Sequence, residues 1–499
     1  MSTTLESPAY SPLLPIAAPD AVTGERWYQQ RTRREQIDGT WRQQLIDRAV
    51  AVVGAQRITG WGVPSLARAL AESVCRELSV LYDEEWRWAH DAPASADYLN
   101  TTAHFAGLQA HQQRMQAYAT GIGTCYMRVR GIAPAVPGGL PTVRYEVVPC
   151  DLVYDEMRDD GSDQPALVRH YSVRMVDGRP TWTADEWSIR NNGSYRLLVG
   201  AGSGMSEDES ARLVGDAYPY RRADGRPILP YVLYHDGPAR IGLHDPYHRE
   251  ALFAGSLDVA VLYWMATHSY RDASWPQRAV MGMRPMGGES STDDAGNTVI
   301  RYTMDPSVLA MFEPLPDVQG QPLQWQWQPG ADTEMMFRVL DDLAARIAVE
   351  AGGVTPTDLH RAAPNRSGSA IALTNEGKRR MQARATPSFR PGDERLASVT
   401  ATVIRSLGGP QLAEDGYRVI YGSTPLSIDE QDARRRHAIE ALDAHLMTRL
   451  EAYRYIHPEM SEVDARAALA EMDPPAPPAA RPRPAQPAEE PDDERHATD

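Results

Sequence analysis

The sequence predicts an α+β protein in which a β-rich lobe and long helices follow one another along the chain. Three observations support this fold class. Residues 125–240 hold short runs of β-branched and aromatic residues separated by hairpin dipeptides. Residues 247–275 and 332–352 have the apolar spacing of two long helices, and an insert rich in Gly, Pro, Met and Trp separates them. Residues 426–472 return to helical periodicity.

The N-terminal part is predicted to be an arm followed by helices. Prolines interrupt residues 1–25, which lack the continuous apolar core of a signal peptide. Residues 26–53 have helical character broken by a glycine, and they carry the basic residues Arg31, Arg33 and Arg34. We interpret this basic cluster as a solvated helix face, with contact to capsid, nucleic acid or a neighbouring subunit as the alternative.

Two more helices are predicted before the lobe. Pro64 and Ser65 open the first helix, and the second covers about residues 105–119, ending at Gly121 and Gly123. The apolar positions of the first helix are Leu66, Leu70, Val74, Leu78 and Leu81.

Hairpin dipeptides organise the lobe into a predicted meander of antiparallel strands. They are Asp177-Gly178, Asn192-Gly193 and Asp224-Gly225.

The two long helices carry the residues that we expect to pack. The first helix, residues 247–275, is apolar on much of its circumference, so it must be buried against other helices or a second subunit. Its packing residues are Leu252, Leu257, Val261, Leu262 and Trp264. The second helix, residues 332–352, begins at Asp332, a good N-cap. Its stripe is Met336, Leu340 (or Val339), Leu343 and Ile347.

The segments next to these helices are predicted to be a β insert and a loop. The insert, residues 276–331, contains a hairpin signal at residues 294–297 and a pair of tryptophans, Trp325 and Trp327. Residues 353–367 form a polar loop.

The C-terminal part is predicted to be helical. A helix over residues 368–407 is interrupted by Pro387 and Pro391, and a strand follows at residues 417–421. A capping box at residues 427–430 opens a helix to about residue 455, and Ser461 caps another. The acidic, proline-rich residues 473–499 are predicted to be disordered.

Composition excludes several classes of function. The chain has 499 residues, with 67 acidic and 51 basic side chains and a formal net charge of -16. Phosphate neutralisation needs exposed cations, so tight sequence-specific DNA binding is disfavoured, whereas a surface along which DNA slides is compatible. Three cysteines argue against a disulfide scaffold or a zinc site. The longest apolar stretch is shorter than the ~20 residues that span a bilayer, which predicts a soluble protein without membrane contact.

The sequence also lacks the motifs of enzymes. The chain has one lysine, Lys378, which does not stand in a phosphate-binding loop. His244 and His248 have the spacing of metal-binding histidines, but Pro246 lies between them and no glutamate follows, so we interpret them as turn residues. No nucleophile elbow is present. We therefore predict no catalysis, no cofactor and no metal.

The order of these parts resembles the portal protein family of tailed bacteriophages. The family has the same succession of lobe, helix, insert, helix, loop, returning helix and helical terminal domain. Local sequence adds to the resemblance: Asn365-Arg366-Ser367-Gly368-Ser369-Ala370-Ile371 is similar to the family's sequence after its channel loop, and Val147-Val148-Pro149-Cys150-Asp151 is similar to one of its turns. The resemblance covers roughly residues 26–472.

The resemblance implies a division of the chain. Its parts would be an arm (1–25), a wing (26–246 and 368–425), two stem helices (247–275 and 332–352), a clip (276–331), a tunnel loop (353–367), a crown (426–472) and the tail (473–499).

The resemblance also implies a function. The chain would form a ring of about twelve subunits at one capsid vertex, assembled in the host cytoplasm, through which double-stranded DNA enters and leaves without sequence reading. Its partners would be terminase, the major capsid protein, a head–tail adaptor and a scaffold, in a phage, a prophage or a gene transfer agent. A different virion structural protein is one alternative, and a nucleic-acid-processing enzyme is another.

Site residues follow from the same resemblance. The stem residues named above would pack between subunits. His360, Arg361, Asn365 and Arg366 would face DNA, with an ordinary solvated loop as the alternative. Trp325 and Trp327 would dock terminase or adaptor, with packing inside the ring as the alternative.

Overall fold

The computed structural model divides the chain into two compact units, Met1–Thr424 and Pro425–Asp499. The residues described are 21–55, 58, 70–134, 139–176, 179–201, 204–237, 242–245, 247–274, 278–281, 283–285, 289–292, 298–301, 312–314, 324–327, 333–352, 368–422, 428–457, 465–466 and 469.

Helices and strands together give the α+β class that the sequence predicts. The helices are α1 (Ala21–Ile37), α2 (Arg42–Val53), α3 (Leu70–Leu78), α4 (Pro93–Phe105), α5 (Leu108–Ile122), α6 (Glu250–Ser274), α7 (Thr333–Gly352), α8 (Gly368–Ser406), α9 (Ile428–Asp443) and α10 (Arg449–Ile456). The strands are β1 (Trp86–Ala89), β2 (Thr124–Ile132), β3 (Thr142–Pro149), β4 (Val153–Met157), β5 (Pro165–Val176), β6 (Arg179–Ser188), β7 (Ser194–Ala201), β8 (Gly204–Val214), β9 (Tyr231–His235), β10 (Arg278–Met281), β11 (Met283–Pro285), β12 (Glu289–Thr292), β13 (Thr298–Arg301), β14 (Phe312–Pro314), β15 (Gln324–Trp327) and β16 (Arg418–Tyr421).

The core of the first unit lies on an antiparallel sheet of order β3-β2-β9. Helices α5 and α8 cover one face, where Met127, Tyr145 and Leu396 are fully buried. Gly392 of α8 permits a close approach, because a Cβ at this position would lie 2.5 Å from the ring of Tyr234 on β9. The opposite face carries a second apolar cluster that reaches toward the larger sheet.

The larger sheet has five antiparallel strands in the order β4-β5-β6-β7-β8. Val176 pairs with Arg179, so the first predicted hairpin is confirmed, although its turn residues lie outside the described residues. At the second turn, Asn191, Asn192 and Gly193 all have positive φ, as that dipeptide signal implies. Strand β8 was not predicted, because its sequence is acidic and poor in β-branched residues.

Helices α6 and α7 form an antiparallel pair, which we call the helix pair. Contacts show the direction: Gly255 faces Ile347 near one end, and the ring of Tyr263 lies 5.3 Å from that of Phe337 further along. A Cβ on Gly255 would lie 2.8 Å from Ile347, so this glycine sets the close approach of the two helices.

Helix α2 covers a second side of α6. Trp41, Leu45 and Ala49 pack against Val261 and Trp264 in one buried cluster. An ion pair between Arg48 and Asp258, 2.6 Å apart, borders that contact.

The insert between the helices of the pair is a set of nested antiparallel strand pairs. Strand β10 pairs with β15, β11 with β14, and β12 with β13. The innermost pair agrees with the predicted hairpin, whose turn at 293–297 lies outside the described residues. The chain therefore runs outward along β10, β11 and β12 and returns beside them along β13, β14 and β15 before it enters α7.

Helix α8 differs from the prediction of a helix interrupted by two prolines. It runs without interruption from Gly368 to Ser406 and includes Pro387 and Pro391. Both prolines are exposed, so the carbonyls that lose their helical partners can bond water instead. Burial of Phe389 holds the helix together between them.

Unit two contains a second correction. The predicted single helix to residue 455 is two helices, α9 and α10. The chain turns between them at His445, whose φ is 56°. Thr448 then starts α10 with a capping box to Glu451. Of the helix predicted after Ser461, the described residues include Ala465, Arg466 and Leu469.

Three helices near the N-terminus also differ from prediction. Helix α1 begins at Ala21, inside the predicted arm, whose residues 1–20 lie outside the described residues. Helix α4 was not predicted, although Pro93 at its start is a typical first-turn residue. Helix α5 runs from Leu108 to Ile122, later than predicted.

Candidate functional site at the base of the helix pair

The predicted channel loop lies outside the described residues, so the placement of His360, Arg361, Asn365 and Arg366 stays a prediction. The described chain stops at Gly352 and resumes at Gly368. Both flanking residues are helical, so residues 353–367 connect α7 to α8.

The packing residues of the helix pair divide into two groups. Leu252, Val261, Trp264 and Leu340 are at most 7% exposed. They are buried within the single subunit, where Leu252, Val261 and Trp264 belong to clusters formed by the chain's own helices, and their packing between subunits stays a prediction. Leu262, in contrast, is 38% exposed.

The remaining packing residues are partly buried. Leu257 packs on the cluster formed with α2, and Leu343 and Ile347 pack on the cluster formed with α3. Met336 is half-buried. These side chains contribute to contacts between helices of the same chain, and only part of each is exposed at the surface.

The two tryptophans of the insert lie on the same strand. Trp325 and Trp327 belong to β15, where they pair with Val280 and Arg278 of β10. The contacts of their side chains lie outside the described part of the structure.

At the base of the helix pair, the buried face of helix α1 is mostly polar, although Trp27 on the same helix packs against Tyr171. Its buried residues include Arg26, Gln30, Arg33 and Gln36, spaced so that they share one face. The interpretation of Arg33 and Arg34 as a solvated face is therefore wrong. Arg34 pairs with the buried Asp151 at 2.8 Å, and Arg33 stacks on Phe253 of α6.

Burial changes the basicity of this region. Arg33 is 2% exposed, and desolvation lowers the pKa of its guanidinium to about 10, although Glu250 and Asp245 oppose the shift. Among the described residues, its Nη1 and Nη2 have no hydrogen-bond partner. The nearby carboxylates of Glu250 and Asp245 disfavour an anion at this position.

Asp155 of β4 is the centre of the first of two buried carboxylate networks. Arg26 Nη1 donates to it at 2.8 Å, Tyr126 Oη at 2.7 Å and His244 Nε2 at 2.7 Å. Burial by itself opposes ionisation, but His244 and Arg26 outweigh it and lower the pKa of Asp155. Burial also lowers the pKa of His244, and the charge of Asp155 opposes that shift.

The network contains an arrangement that resembles a catalytic relay. Thr124 Oγ1 lies 2.8 Å from His244 Nδ1, and His244 Nε2 lies 2.7 Å from Asp155. Thr124 is 1% exposed and His244 is 2% exposed, so no substrate carbonyl can reach the hydroxyl. We assign these residues to the attachment of α1 and of the turn before α6.

Asp393 of α8 is the centre of the second network. Tyr82 and Tyr421 donate to Oδ2 at 2.8 Å and 2.5 Å, and Tyr234 and Gln112 donate to Oδ1 at 2.9 Å and 2.8 Å. No cation pairs with it among the described residues. Burial raises the pKa of Asp393 to about 6, and the four hydrogen bonds limit that rise.

Sequence reasoning missed both networks. Their members come from separate elements, and only the polar periodicity of α1 gave a signal, with Arg26, Gln30 and Arg33 three or four residues apart.

Metal and thiol chemistry find no support in the described part of the chain. No group of three or more His, Cys, Asp and Glu side chains there is placed to hold a metal ion. His248 contacts the carbonyl of Thr120 at 3.1 Å rather than sharing a site with His244. The thiols of Cys75, Cys125 and Cys150 are buried. Burial raises the pKa of Cys75 to about 12, so that thiol is unreactive.

Among the described helices, none combines the length and apolar character needed to cross a bilayer.

Comparison with known proteins gives a loose likeness to particle necks. No protein-family model matches the chain, and no curated protein matches it. A solved chain from the neck of an empty gene transfer agent particle, computed with C6 symmetry, aligns at 10% identity and a TM-score of 0.44, covering 80% of this chain and 92% of that one. A chain from the neck of the native particle, computed with C12 symmetry, aligns at 13% identity and a TM-score of 0.39, covering 78% and 89%.

A chain from the virion of the native gene transfer agent gives 13% identity and a TM-score of 0.38, covering 78% and 89%. Because these TM-scores lie below 0.5, we argue the function from the chain's own residues.

Proposed function

We propose that this chain is a portal subunit, which forms a ring at one capsid vertex and lets double-stranded DNA pass. The observation that carries the proposal is the helix pair: α6 and α7 run antiparallel, a nested strand insert closes one end, and the mixed lobe and the connection 353–367 lie at the other. Such a rod with different ends suits a subunit that repeats around a channel.

Exposed apolar residues on the helix pair support contact with a second copy. On α7, Met335, Val339 and Val349 are 64%, 55% and 47% exposed. Asp342 and Arg346 lie between them at helical spacing and are exposed too. One stripe therefore offers apolar area with both signs of charge. Head-to-tail contacts of this kind close into rings when the rotation permits.

Charge supports a channel that does not retain DNA. The chain carries 67 acidic and 51 basic side chains, with a formal net charge of -16. A mostly acidic wall repels phosphates, and a few cations on the loop would make the transient contacts. We propose His360, Arg361, Asn365 and Arg366 for those contacts.

The insert is proposed as the docking end. Trp325 and Trp327 on β15 would contact terminase during packaging and a head–tail adaptor afterwards. Aromatic anchors of this kind dominate many protein interfaces. Capsid protein and scaffold would contact the lobe. Assembly would occur in the host cytoplasm, before the ring becomes part of the virion.

Ring formation tests the proposal directly. Mass photometry and negative-stain microscopy of the purified chain should give closed rings with a central hole and a mass near that of about twelve 55.2 kDa subunits. Monomers at every concentration, with and without the rest of the head proteins, contradict the proposal. DNA cleavage or ATP hydrolysis by the chain would favour an enzyme instead.

A single substitution tests which surface makes the ring. Leu262→Asp should abolish rings and leave the melting temperature of the subunit nearly unchanged, because an unpaired charge in an interface costs several kcal/mol while Leu262 is 38% exposed in the subunit. Leu140→Asp is the matched control, since Leu140 is 64% exposed on the loop between β2 and β3. Leu257 is less suitable, because it packs inside the chain. Rings that survive Leu262→Asp place the interface elsewhere.

A further inference from the structure

One arginine joins the lobe to both helices of the pair. Arg249 immediately precedes α6, and its guanidinium contacts three separate elements. Nε donates to the carbonyl of Thr120 in the last turn of α5 at 2.7 Å. Nη2 donates to Asp236, just after β9, at 2.8 Å. Nη1 donates to the carbonyl of Ala351 in the last turn of α7.

The backbone at Arg249 is unusual for an arginine. Its φ is 50°, in the left-handed region where a Cβ is unfavourable and glycine is the ordinary residue. A non-glycine residue persists in such a conformation when its surroundings hold it there. Here the three contacts of the Arg249 side chain hold the backbone in this conformation, and a glycine would lack those contacts.

The contacts of this guanidinium suit an arginine and no other side chain. The carbonyls of Thr120 and Ala351 lie in final helical turns, where carbonyls lack intrahelical partners and the helix dipole favours a cation. A planar fork can reach two carbonyls and a carboxylate at once, whereas the single ammonium of lysine cannot hold all three directions.

The position of Ala351 gives the contact its consequence. Ala351 and Gly352 are the last described residues before the connection 353–367, and a Cβ on Gly352 would lie 3.2 Å from Arg249 Nη1. Arg249 therefore holds the point from which that connection leaves α7. Because Arg249 immediately precedes α6, the same side-chain contacts also fix the position where α6 begins.

We propose that Arg249 is a positioning residue, which fixes the departure point of segment 353–367 relative to the lobe. The proposal rests on the proposed function only where it treats that segment as a channel loop. The positioning of the end of α7 by Arg249 concerns the single subunit and is tested in that subunit.

The experiment measures the distance between the end of α7 and the lobe. Spin labels on Glu350→Cys and on Arg144→Cys in β3 of the lobe, both exposed positions, report it by pulsed electron paramagnetic resonance. The native cysteines are buried and stay unlabelled. We expect one narrow distance distribution in the parent, and at least a doubling of its width in Arg249→Ala. Arg249→Lys should give an intermediate width, because it keeps charge and loses two of three contacts.

Two controls separate positioning from general stability. Arg338→Ala removes an arginine on the exposed face of α7 that pairs only locally with Glu334, and should leave the distribution unchanged. Arg249→Gly should melt above Arg249→Ala, since it relieves the backbone at φ 50°, and below the parent.

Two outcomes overturn the proposal: an unchanged width in both Arg249→Ala and Arg249→Lys, or a melting temperature of Arg249→Gly at or above that of the parent. Mass photometry on the same samples reports rings separately, so failure of the ring proposal is distinguishable from failure of this one.

Discussion

Two aspartates with buried carboxylates in the first unit have pKa values shifted in opposite directions. Asp155 and Asp393 each accept several short hydrogen bonds. Asp155 has Arg26 beside it, and its pKa is lowered. Asp393 has tyrosines and a glutamine only, and burial raises its pKa to about 6. Burial is common to both, so the neighbouring charge decides the sign.

The two carboxylates therefore stabilise the fold in different pH ranges. An unfolded aspartate titrates near ~3.9. The lowered pKa of Asp155 adds stability that is present above that value and is lost as the pH falls below it. The raised pKa of Asp393 adds stability that is complete below ~3.9 and is lost as the pH rises through about 6.

The largest expected effect comes from removing the charge of Asp155. Asp155→Asn should destabilise the first unit by about 3–5 kcal/mol at pH 7, because Arg26 would stay buried without its partner. Urea denaturation measures the loss. Asp224→Asn is the control, since its ion pair with Arg226 is exposed and screened by solvent, so its loss should change the free energy of unfolding little. Equal effects from both variants would contradict the comparison.

A smaller effect of opposite pH dependence is expected at Asp393. Between pH 4 and pH 7 the parent should lose about 2 kcal/mol of unfolding free energy relative to Asp393→Asn, because the ionised form is buried without a cation. Denaturation curves of both proteins at several pH values give the difference. A difference that stays constant from pH 4 to pH 7 would show that Asp393 titrates as an ordinary aspartate.

The smallest expected effect comes from removing one hydrogen bond to Asp393, and it extends the comparison of the two aspartates. Tyr421 donates to Asp393 at 2.5 Å and stabilises its ionised form. Tyr421→Phe should raise the titration midpoint of Asp393 and cost about 1–2 kcal/mol above that midpoint. Tyr28→Phe, at an exposed position, is the control and should change neither quantity. A midpoint that moves downward in Tyr421→Phe would reverse the assigned role of the hydroxyl.

The helix pair was predictable because its signal is local. Apolar residues at helical spacing identified α6 and α7 within three residues of their observed ends. Which neighbour covers them was not predictable. Trp264 packs against α2 of the same chain, and nothing in its sequence position distinguishes that helix from a second subunit as the packing partner.

The prolines of α8 show where a local rule fails. Proline signals a helix end because it removes a donor and crowds the preceding turn. Pro387 and Pro391 both face solvent, while Phe389 and Leu396 are buried in the core, so tertiary packing maintains the helix. The exposure of a proline depends on the fold and cannot be read from its neighbours.

The buried networks were not predictable for a different reason. Arg26, Asp155 and His244 are far apart in sequence, and hydrophobic periodicity does not identify a helix face made of Arg and Gln. Burying such a face costs desolvation energy, which only a complete set of partners offsets. That set exists once strands β2 and β4 and the turn before α6 are assembled.

The scarcity of lysine also has a practical consequence for handling this protein. Lys378, which pairs with Asp83 at 3.2 Å, is the single lysine side chain, so amine-reactive fixatives have one internal point of attack in each subunit. Glutaraldehyde, the usual fixative before electron microscopy, should therefore fail to lock an assembly of these subunits. With 67 carboxylic side chains per subunit, carbodiimide with a dihydrazide is the chemistry that should preserve it.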